Sequence, residues 1–80
     1  MDTSTAVRQR ILDLCAPRGI TVNRLATLSG VTQSTVNNIV SGRNHSATVA
    51  TVKKLCDGLD ITLRDFFDAS VFDSLEQEIR

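Results

Sequence analysis

Side chains with uncharged hydrogen-bonding groups are concentrated between residues 33 and 41. Val36, Ile39 and Val40 fall at helical spacing there and predict one buried face. The remaining positions carry amides or hydroxyls, namely Gln33, Ser34, Thr35, Asn37, Asn38 and Ser41. An ordinary exposed helix carries Lys and Glu, whereas mixed donors and acceptors are what the base edges of the major groove require. The segment is therefore predicted to be a DNA-recognition helix.

A second short helix and a tight turn are predicted directly before this segment. Thr21 is placed to cap a helix over residues 22–29, whose apolar residues would face the same core. Gly30 marks the break, because glycine adopts the left-handed conformation that ends a helix. Thr32 then caps the recognition helix. Two helices locked by a turn are expected to present the polar face outward.

The rest of the chain is also predicted to be helical, with no strand pattern. The predicted elements, with their capping residues, are helices over 5–16 (Thr5), 22–29 (Thr21), 33–41 (Thr32), 49–59 (Thr48), a short fifth helix with a Thr62–Asp65 capping box, and a sixth segment from Ser70 to about Ile79. This order divides the chain into a flexible arm over 1–4, a helical domain over 5–68 and a C-terminal helical extension over 69–80.

The net charge of zero conceals an uneven distribution along the chain. Residues 1–56 carry seven Lys and Arg against two Asp, and residues 57–80 carry two Arg against seven Asp and Glu. A basic segment that contains the polar helix indicates a polyanionic partner at that end. The alternative is that the acidic segment only aids solubility.

Other classes of function receive little support. Cys15 and Cys56 lie on apolar faces without a Cys-x-x-Cys pair, and His45 is the only histidine, so no metal and no cofactor are expected. No nucleophile–base arrangement or Gly-rich phosphate loop indicates an enzyme. No long apolar run and no leader pattern is present, so a cytoplasmic protein is expected.

The segment Leu25-Ala26-x-x-x-Gly30-Val31-Thr32-Gln33-Ser34-Thr35-Val36-x-x-Ile39, followed by Gly42, resembles the phage repressor/Cro-like (Xre) helix-turn-helix family. Residues 51–67 are similar to that family's fourth and fifth helices, and the resemblance covers residues 6–68 in register. It implies an all-α fold: a five-helix lambda-repressor-like DNA-binding domain, here with an extra C-terminal helical segment. It also implies a sequence-specific transcriptional regulator that binds double-stranded DNA with helix 33–41 in the major groove. A repressor, associated with the nucleoid of a bacterium or encoded by a phage, is the form that the resemblance leads us to expect.

Roles for individual residues follow from the polar face and from this resemblance. The base-reading residues are predicted to be Gln33, which resembles the family position that pairs with adenine, together with Ser34, Asn37 and Asn38. The phosphate-binding residues are predicted to be Thr21, Thr32, Thr35, Arg43 and Asn44. Arg18 and Arg24 are further candidates for phosphate contacts, whereas Lys53 and Lys54 are expected to be solvated.

The sequence departs from the family at positions that affect both reading and packing. Val22 stands where the second helix often begins with Gln, so base reading should depend more on the recognition helix. Cys15 and Val40 stand where a buried Arg and Glu commonly pair, and losing both charges together is tolerable. Asp60 replaces the glycine after the fourth helix, and Gly58 inside that helix should weaken its last turn.

A domain of this size is expected to bind a palindromic operator as a homodimer. The predicted seam is an i, i+4 ladder with one further aromatic residue: Phe67, Val71, Phe72, Leu75 and Ile79. The alternative is that this ladder only covers the intramolecular core. No membrane and no small-molecule ligand are expected as partners. The alternative function is an antitoxin-type or anti-repressor module that uses the same fold to bind a protein.

Overall fold

The computed structural model describes residues 1–42 and 47–79. In chain order its elements are α1 (Thr3–Arg18), α2 (Val22–Ser29), α3 (Gln33–Val40), α4 (Val49–Leu59), α5 (Leu63–Phe67) and one 3₁₀ turn (Ser70–Phe72). Five helices, without a strand in the described ranges, confirm the predicted all-α fold. No helix in the described part of the chain is long and apolar enough to cross a membrane.

Threonine caps define the starts of four helices, as predicted. The hydroxyl of each capping residue accepts a hydrogen bond from the backbone N–H three residues later, at Thr21, Thr32, Thr48 and Thr62. Asp65 completes the capping box of α5 by accepting from the backbone N–H of Thr62 at 3.2 Å. This hydrogen bond favours the ionised carboxylate and lowers the pKa of Asp65.

The start of α1 differs from the prediction. The helix begins at Thr3 rather than after Thr5, because the Asp2 carboxylate accepts the Thr5 backbone N–H at 2.8 Å. An Asp carboxylate is a strong N-cap, and it takes the place expected for the threonine hydroxyl. Residues 3 and 4 of the expected flexible arm therefore belong to α1. At the other end, Gly19 in the left-handed conformation ends the helix after Arg18.

The core lies between α1, α2, α3, α4 and α5. Its fully buried side chains include Phe66, Ile11, Leu25, Leu55, Val36 and Cys56. Cys15 and Cys56 are free, buried thiols whose pKa is raised because burial disfavours the thiolate. Leu28 was expected to face this core but is 45% exposed, so that part of the prediction was wrong.

Gly58 permits α2 and α4 to approach closely. A Cβ atom added at Gly58 would lie 2.1 Å from Ser29 Oγ and 3.1 Å from Ser29 Cα. The glycine therefore has a packing role in addition to its low helix propensity, and α4 continues through it to Leu59. The helix ends at Asp60, which adopts the left-handed conformation (φ 57°) in place of the family's glycine.

Arginines of α1 tie this helix to two others. Arg10 donates from Nε to the Phe66 carbonyl at 2.7 Å and from Nη2 to the Asp65 carbonyl at 2.8 Å, which holds the C-terminal end of α5. Arg8 donates from Nε to the carbonyl of Val40 at the end of α3. This bond satisfies a terminal carbonyl of α3, at the residue where the family commonly has a glutamate.

The C-terminal segment is not the helix predicted to reach Ile79. Asp68 leaves the helical region with ψ 72°, Ala69 is extended, and only the turn Ser70–Phe72 follows. Residues 73–79 are not helical and are attached to the start of α1 instead. The backbone N–H of Glu76 donates to the Met1 carbonyl at 3.0 Å, and the Thr3 hydroxyl donates to Glu78 Oε1 at 2.8 Å.

This course of the chain removes the expected i, i+4 ladder. Phe67 and Val71 do not lie on successive turns of one helix, because two non-helical residues separate α5 from the 3₁₀ turn. Phe72 packs on Phe66 and Phe67, with ring centroids 6.2 and 5.0 Å apart respectively. Ile79 is 81% exposed. Of the five residues predicted for a seam, Phe67 and Ile79 are thus exposed, and the other three are half-buried.

Replacing Gly58 with alanine is predicted to lower the free energy of unfolding by about 1–3 kcal/mol, the usual cost of overpacking. The added methyl group would collide with Ser29 and force α2 and α4 apart. This loss should exceed the gain in helix propensity, which is about 1 kcal/mol. Urea denaturation followed by circular dichroism measures the difference.

Ser29→Ala provides the matched control. It removes a buried hydroxyl that has no hydrogen-bond partner among the described residues, so stability should be unchanged or higher. Combined with Gly58→Ala, it should recover part of the loss because the shortest contact disappears. A Gly58→Ala protein as stable as the wild type would contradict the close approach of these helices.

Candidate nucleic-acid interface

The two helices α2 and α3 are joined by a turn whose backbone hydrogen bonds are made locally. Gly30 adopts the left-handed conformation (φ 66°), and the Val31 N–H returns to the Ala26 carbonyl at 3.1 Å. Thr32 then starts α3. Because Leu25 and Ala26 of α2 and Val36 and Ile39 of α3 are buried, the packing leaves one face of α3 outward.

The outward face of α3 carries the side chains predicted to read bases. Gln33, Ser34 and Asn37 are exposed, and Asn38 is half-buried. Within the described residues, the Gln33 amide makes no hydrogen bond, so both its donor and its acceptor are open to a partner. Ser34 Oγ lies 3.5 Å from Thr32 Oγ1 at the start of the helix. These four side chains together present hydroxyl and amide groups over the first turns of one short helix.

Hydroxyl groups surround the N-terminus of α3. Thr32 Oγ1 accepts the Thr35 backbone N–H at 3.3 Å and lies 2.7 Å from the Thr35 hydroxyl. When one of these hydroxyls donates to the other, the second retains a proton for an external acceptor. Thr21 is exposed and its oxygen accepts the Arg24 backbone N–H at 3.0 Å, which leaves its hydroxyl proton available. The arrangement suits an anion at both helix starts.

An amide pair that sequence reasoning missed links the two helices. Asn37 Nδ2 donates to Asn23 Oδ1 at 3.1 Å. The backbone carbonyl of Asn23 accepts a separate hydrogen bond from the Thr27 hydroxyl at 3.2 Å within α2. Val22 stands where the family often has Gln, so α2 was not expected to contribute an amide to this face. Asn23, one position later, is the amide in the sequence that could have indicated the contact.

The positive charges of the basic segment are only partly committed to the fold. Arg8, Arg10 and Arg18 donate to backbone carbonyls, which fixes their side chains without neutralising them. Lys53 forms an ion pair with Asp57, and this hydrogen bond raises the pKa of the lysine. In the described ranges the Arg24 side chain is exposed and has no ion pair or hydrogen-bond partner.

Two of the predicted phosphate-binding residues cannot be placed. Arg43 and Asn44, and His45 beside them, lie outside the described residues, so their roles stay predictions. No group of three or more His, Cys, Asp and Glu residues within the described ranges could hold a metal ion. The side chains that the structure brings together near α3 are therefore hydroxyls, amides and one unpaired guanidinium.

Comparisons with known proteins agree with this geometry. Residues 10–70 match the family model of the Cro/C1-type helix-turn-helix DNA-binding domain. The uncharacterized HTH-type transcriptional regulator RghRB of Bacillus subtilis (strain 168) is 32% identical over 62 residues, which make up 78% of this chain and 45% of that protein. The chain thus spans less than half the length of this curated relative. The crystal structure of the prophage Lp1 protein 11 is similar, with a TM-score of 0.80 and 37% identity over 94% of this chain and 100% of that one.

Proposed function

The chain belongs to the Cro/C1-type helix-turn-helix DNA-binding family, and from this membership we propose that it is a sequence-specific regulator that represses transcription by occupying an operator. It would act on double-stranded DNA in the cytoplasm of a bacterium, encoded by the host or by a prophage. Its mechanism would be insertion of α3 into the major groove. The similar proteins support DNA binding. We propose in addition that the operator is palindromic and that its occupation represses transcription.

The observation that carries the proposal is the uncharged, exposed face of α3. Gln33 at the first position of the helix has both ends of its amide free, which allows a bidentate contact to adenine N6 and N7. Ser34 adds a hydroxyl that can donate or accept. Gln33 and Ser34 are the first two residues of α3 and lie at its N-terminal end, where recognition helices of this motif meet base edges.

Phosphate contacts would hold α3 in register. Thr21 and Thr32 begin helices whose first N–H groups and dipoles favour an anion, and each has a hydroxyl nearby that can donate. Arg24 lies one turn after Thr21 and has an exposed guanidinium without an internal partner among the described residues. Such contacts position the protein and add salt dependence, whereas sequence is read by the side chains of α3.

A second copy of the chain is needed for tight binding to a palindrome. The structure offers an open groove of about 590 Å³ beside α5, lined by Leu63, Arg64, Phe67 and Asp68. Phe67 is 44% exposed there, which is a large exposed fraction for an apolar aromatic side chain. The proposed seam is therefore centred on Phe67, whose ring packs against Phe72 at 5.0 Å between centroids. Val71, Leu75 and Ile79 no longer continue it as a helical ladder.

Charge complementarity favours a two-fold arrangement of this groove. Arg64 and Asp68 lie four residues apart on either side of Phe67, and neither side chain forms an ion pair within the described ranges. In an isologous interface, residue i contacts residue j twice, so each Arg64 would meet the Asp68 of the other copy. Two such pairs around two Phe67 rings would close a symmetric contact. An operator with half-sites one helical turn apart would require this dimer to hold its two recognition helices about 34 Å apart.

The alternative, a protein-interaction module of the antitoxin or anti-repressor type, would use the same groove for an unlike partner. A disordered or amphipathic tail, for which residues 70–80 are the candidate, would be the sequence feature of such a module. Residues 76 and 78 instead bond to the start of α1. This attachment makes a free docking tail the weaker proposal.

Selection of bound duplexes from a random pool is predicted to enrich a palindrome. The Gln33→Ala variant should lose sequence preference at one base pair in each half-site. Loss of a bidentate contact costs about 1–3 kcal/mol of discrimination at that base pair. Gln9→Ala, an exposed helical amide on α1 bonded to Asp13, is the matched control and should leave the motif unchanged. An unenriched pool with persistent non-specific binding would remove the specific-regulator proposal.

Sedimentation equilibrium at micromolar concentration is predicted to show a dimer that Arg64→Asp weakens, because two like-charged pairs would then face each other. The double variant Arg64→Asp with Asp68→Arg restores opposite charges across the two-fold axis and should recover the dimer. Phe67→Asp should yield a monomer of unchanged helicity, whereas Val49→Asp, at a more exposed apolar position, should remain dimeric. A wild-type monomer, or a double variant no better than the single one, would contradict this seam.

A further inference from the structure

The hydrogen bond between Asn23 and Asn37 lies on the face where the proposed function places base reading. Asn37 Nδ2 donates to Asn23 Oδ1 at 3.1 Å, and both side chains are exposed. Asn37 is one helical turn after Gln33 on α3. Asn23 belongs to α2, the helix that precedes the turn. In the described part of the chain, this is the only side-chain hydrogen bond that connects α2 to α3.

The bond determines which groups of the two amides remain free. An asparagine amide has two N–H donors and an oxygen with two lone pairs. After the donation, Asn37 retains its oxygen and its second N–H, which is the donor–acceptor pair that adenine requires. Asn23 retains both N–H donors. An unrestrained exposed amide can rotate and present either end, whereas this one is held with its nitrogen towards α2.

Neither Val22 nor Thr27, which flank Asn23 along α2, provides this contact. Val22, one position earlier, is half-buried against the core and has no polar group in its side chain. Thr27, one turn later, donates its hydroxyl hydrogen to the backbone carbonyl of Asn23 at 3.2 Å. The orientation of Asn37 therefore depends on the Asn23 oxygen.

We infer that Asn23 is a positioning residue for base recognition: by accepting from Asn37 it fixes that amide so that it prefers one base pair. This inference rests on the proposed function, since it assigns a new residue to the same interface. Asn23 itself would contact no base. Pre-organisation of this kind favours the base that matches the fixed orientation, because the amide does not need to be ordered at the moment of binding.

The test compares the wild type with Asn37→Ala, Asn23→Ala and Asn23→Asp, by measuring affinities for the selected duplex and for every single base-pair change in one half-site. Asn37→Ala should reduce the preference at one base pair by about tenfold. Asn23→Ala should reduce the preference at the same base pair and leave the other positions unchanged. Thermal unfolding of both variants should stay close to that of the wild type, because both residues are exposed.

Asn23→Asp separates positioning from a direct phosphate contact. The aspartate keeps an oxygen that can accept from Asn37, so the preference at that base pair should be retained. Its added negative charge should lower affinity for all duplexes alike, because a carboxylate anywhere on the DNA-binding face repels the polyanion. Rescue of the preference by this conservative change is a result that a purely structural role would not produce.

Three outcomes would overturn the inference. Asn23→Ala could weaken every duplex equally, which would indicate a phosphate contact; it could leave the Asn37 base pair as selective as before; or Asn37→Ala could change no preference although Gln33→Ala does. A wild-type protein without preference at any position is a different result, because it would remove the proposed function itself.

Discussion

The short length of α3 is the constraint on which the rest of the structure depends. A helix of eight residues is unstable by itself in water, since isolated helices need about 12–15 residues to be even marginal. Val36 and Ile39 stabilise it by burying its inner face in the core, and the Thr32 cap satisfies one of the first backbone N–H groups. Its outer face is then free of any packing requirement. That freedom is what allows uncharged amides and hydroxyls to be placed there.

The other elements support this helix from different directions. The Arg8 guanidinium of α1 binds the last carbonyl of α3, and α2 contributes the Asn23 oxygen to Asn37. The position of α2 depends in turn on its close approach to α4 at Gly58. A single side chain on α1, Arg10, also fixes the end of α5, where the proposed seam begins. The proposed DNA-reading face and the proposed seam are thus attached to the same core.

Local chemistry explains which features could be predicted from the sequence. The threonine caps at 21, 32, 48 and 62 and the breaks at Gly30 and Asp60 depend only on neighbouring residues, so the pattern identified them correctly. The cap at Thr5 was wrong because a stronger acceptor stood three residues earlier. The helix predicted from Ser70 to Ile79 was wrong because only a 3₁₀ turn forms at residues 70–72 and the following chain bonds to the start of α1, which no local pattern reveals.

The candidate site also combines features that local sequence predicts with features that depend on tertiary packing. Exposure of Gln33 and Ser34 follows from helical periodicity and was predictable. The Asn23–Asn37 bond and the Ser29–Gly58 approach join residues that are distant in sequence, so they required the packing of α2 against its neighbours to be known. The uneven charge distribution was visible in the sequence. Only the structure indicates that Arg8, Arg10 and Arg18 are held by carbonyls and that Arg24 remains exposed.

The central claim is that the outer face of α3 meets the bases, and its most direct test is nuclear magnetic resonance of the side-chain amides during titration with DNA. The selected duplex should shift the amide resonances of Gln33, Asn37 and Asn38 strongly, and a scrambled duplex of equal length should shift them much less. Backbone resonances on α2 and at the start of α3 should respond to both duplexes. Side-chain amides of α3 that stay unperturbed at saturation with the selected duplex would contradict the account.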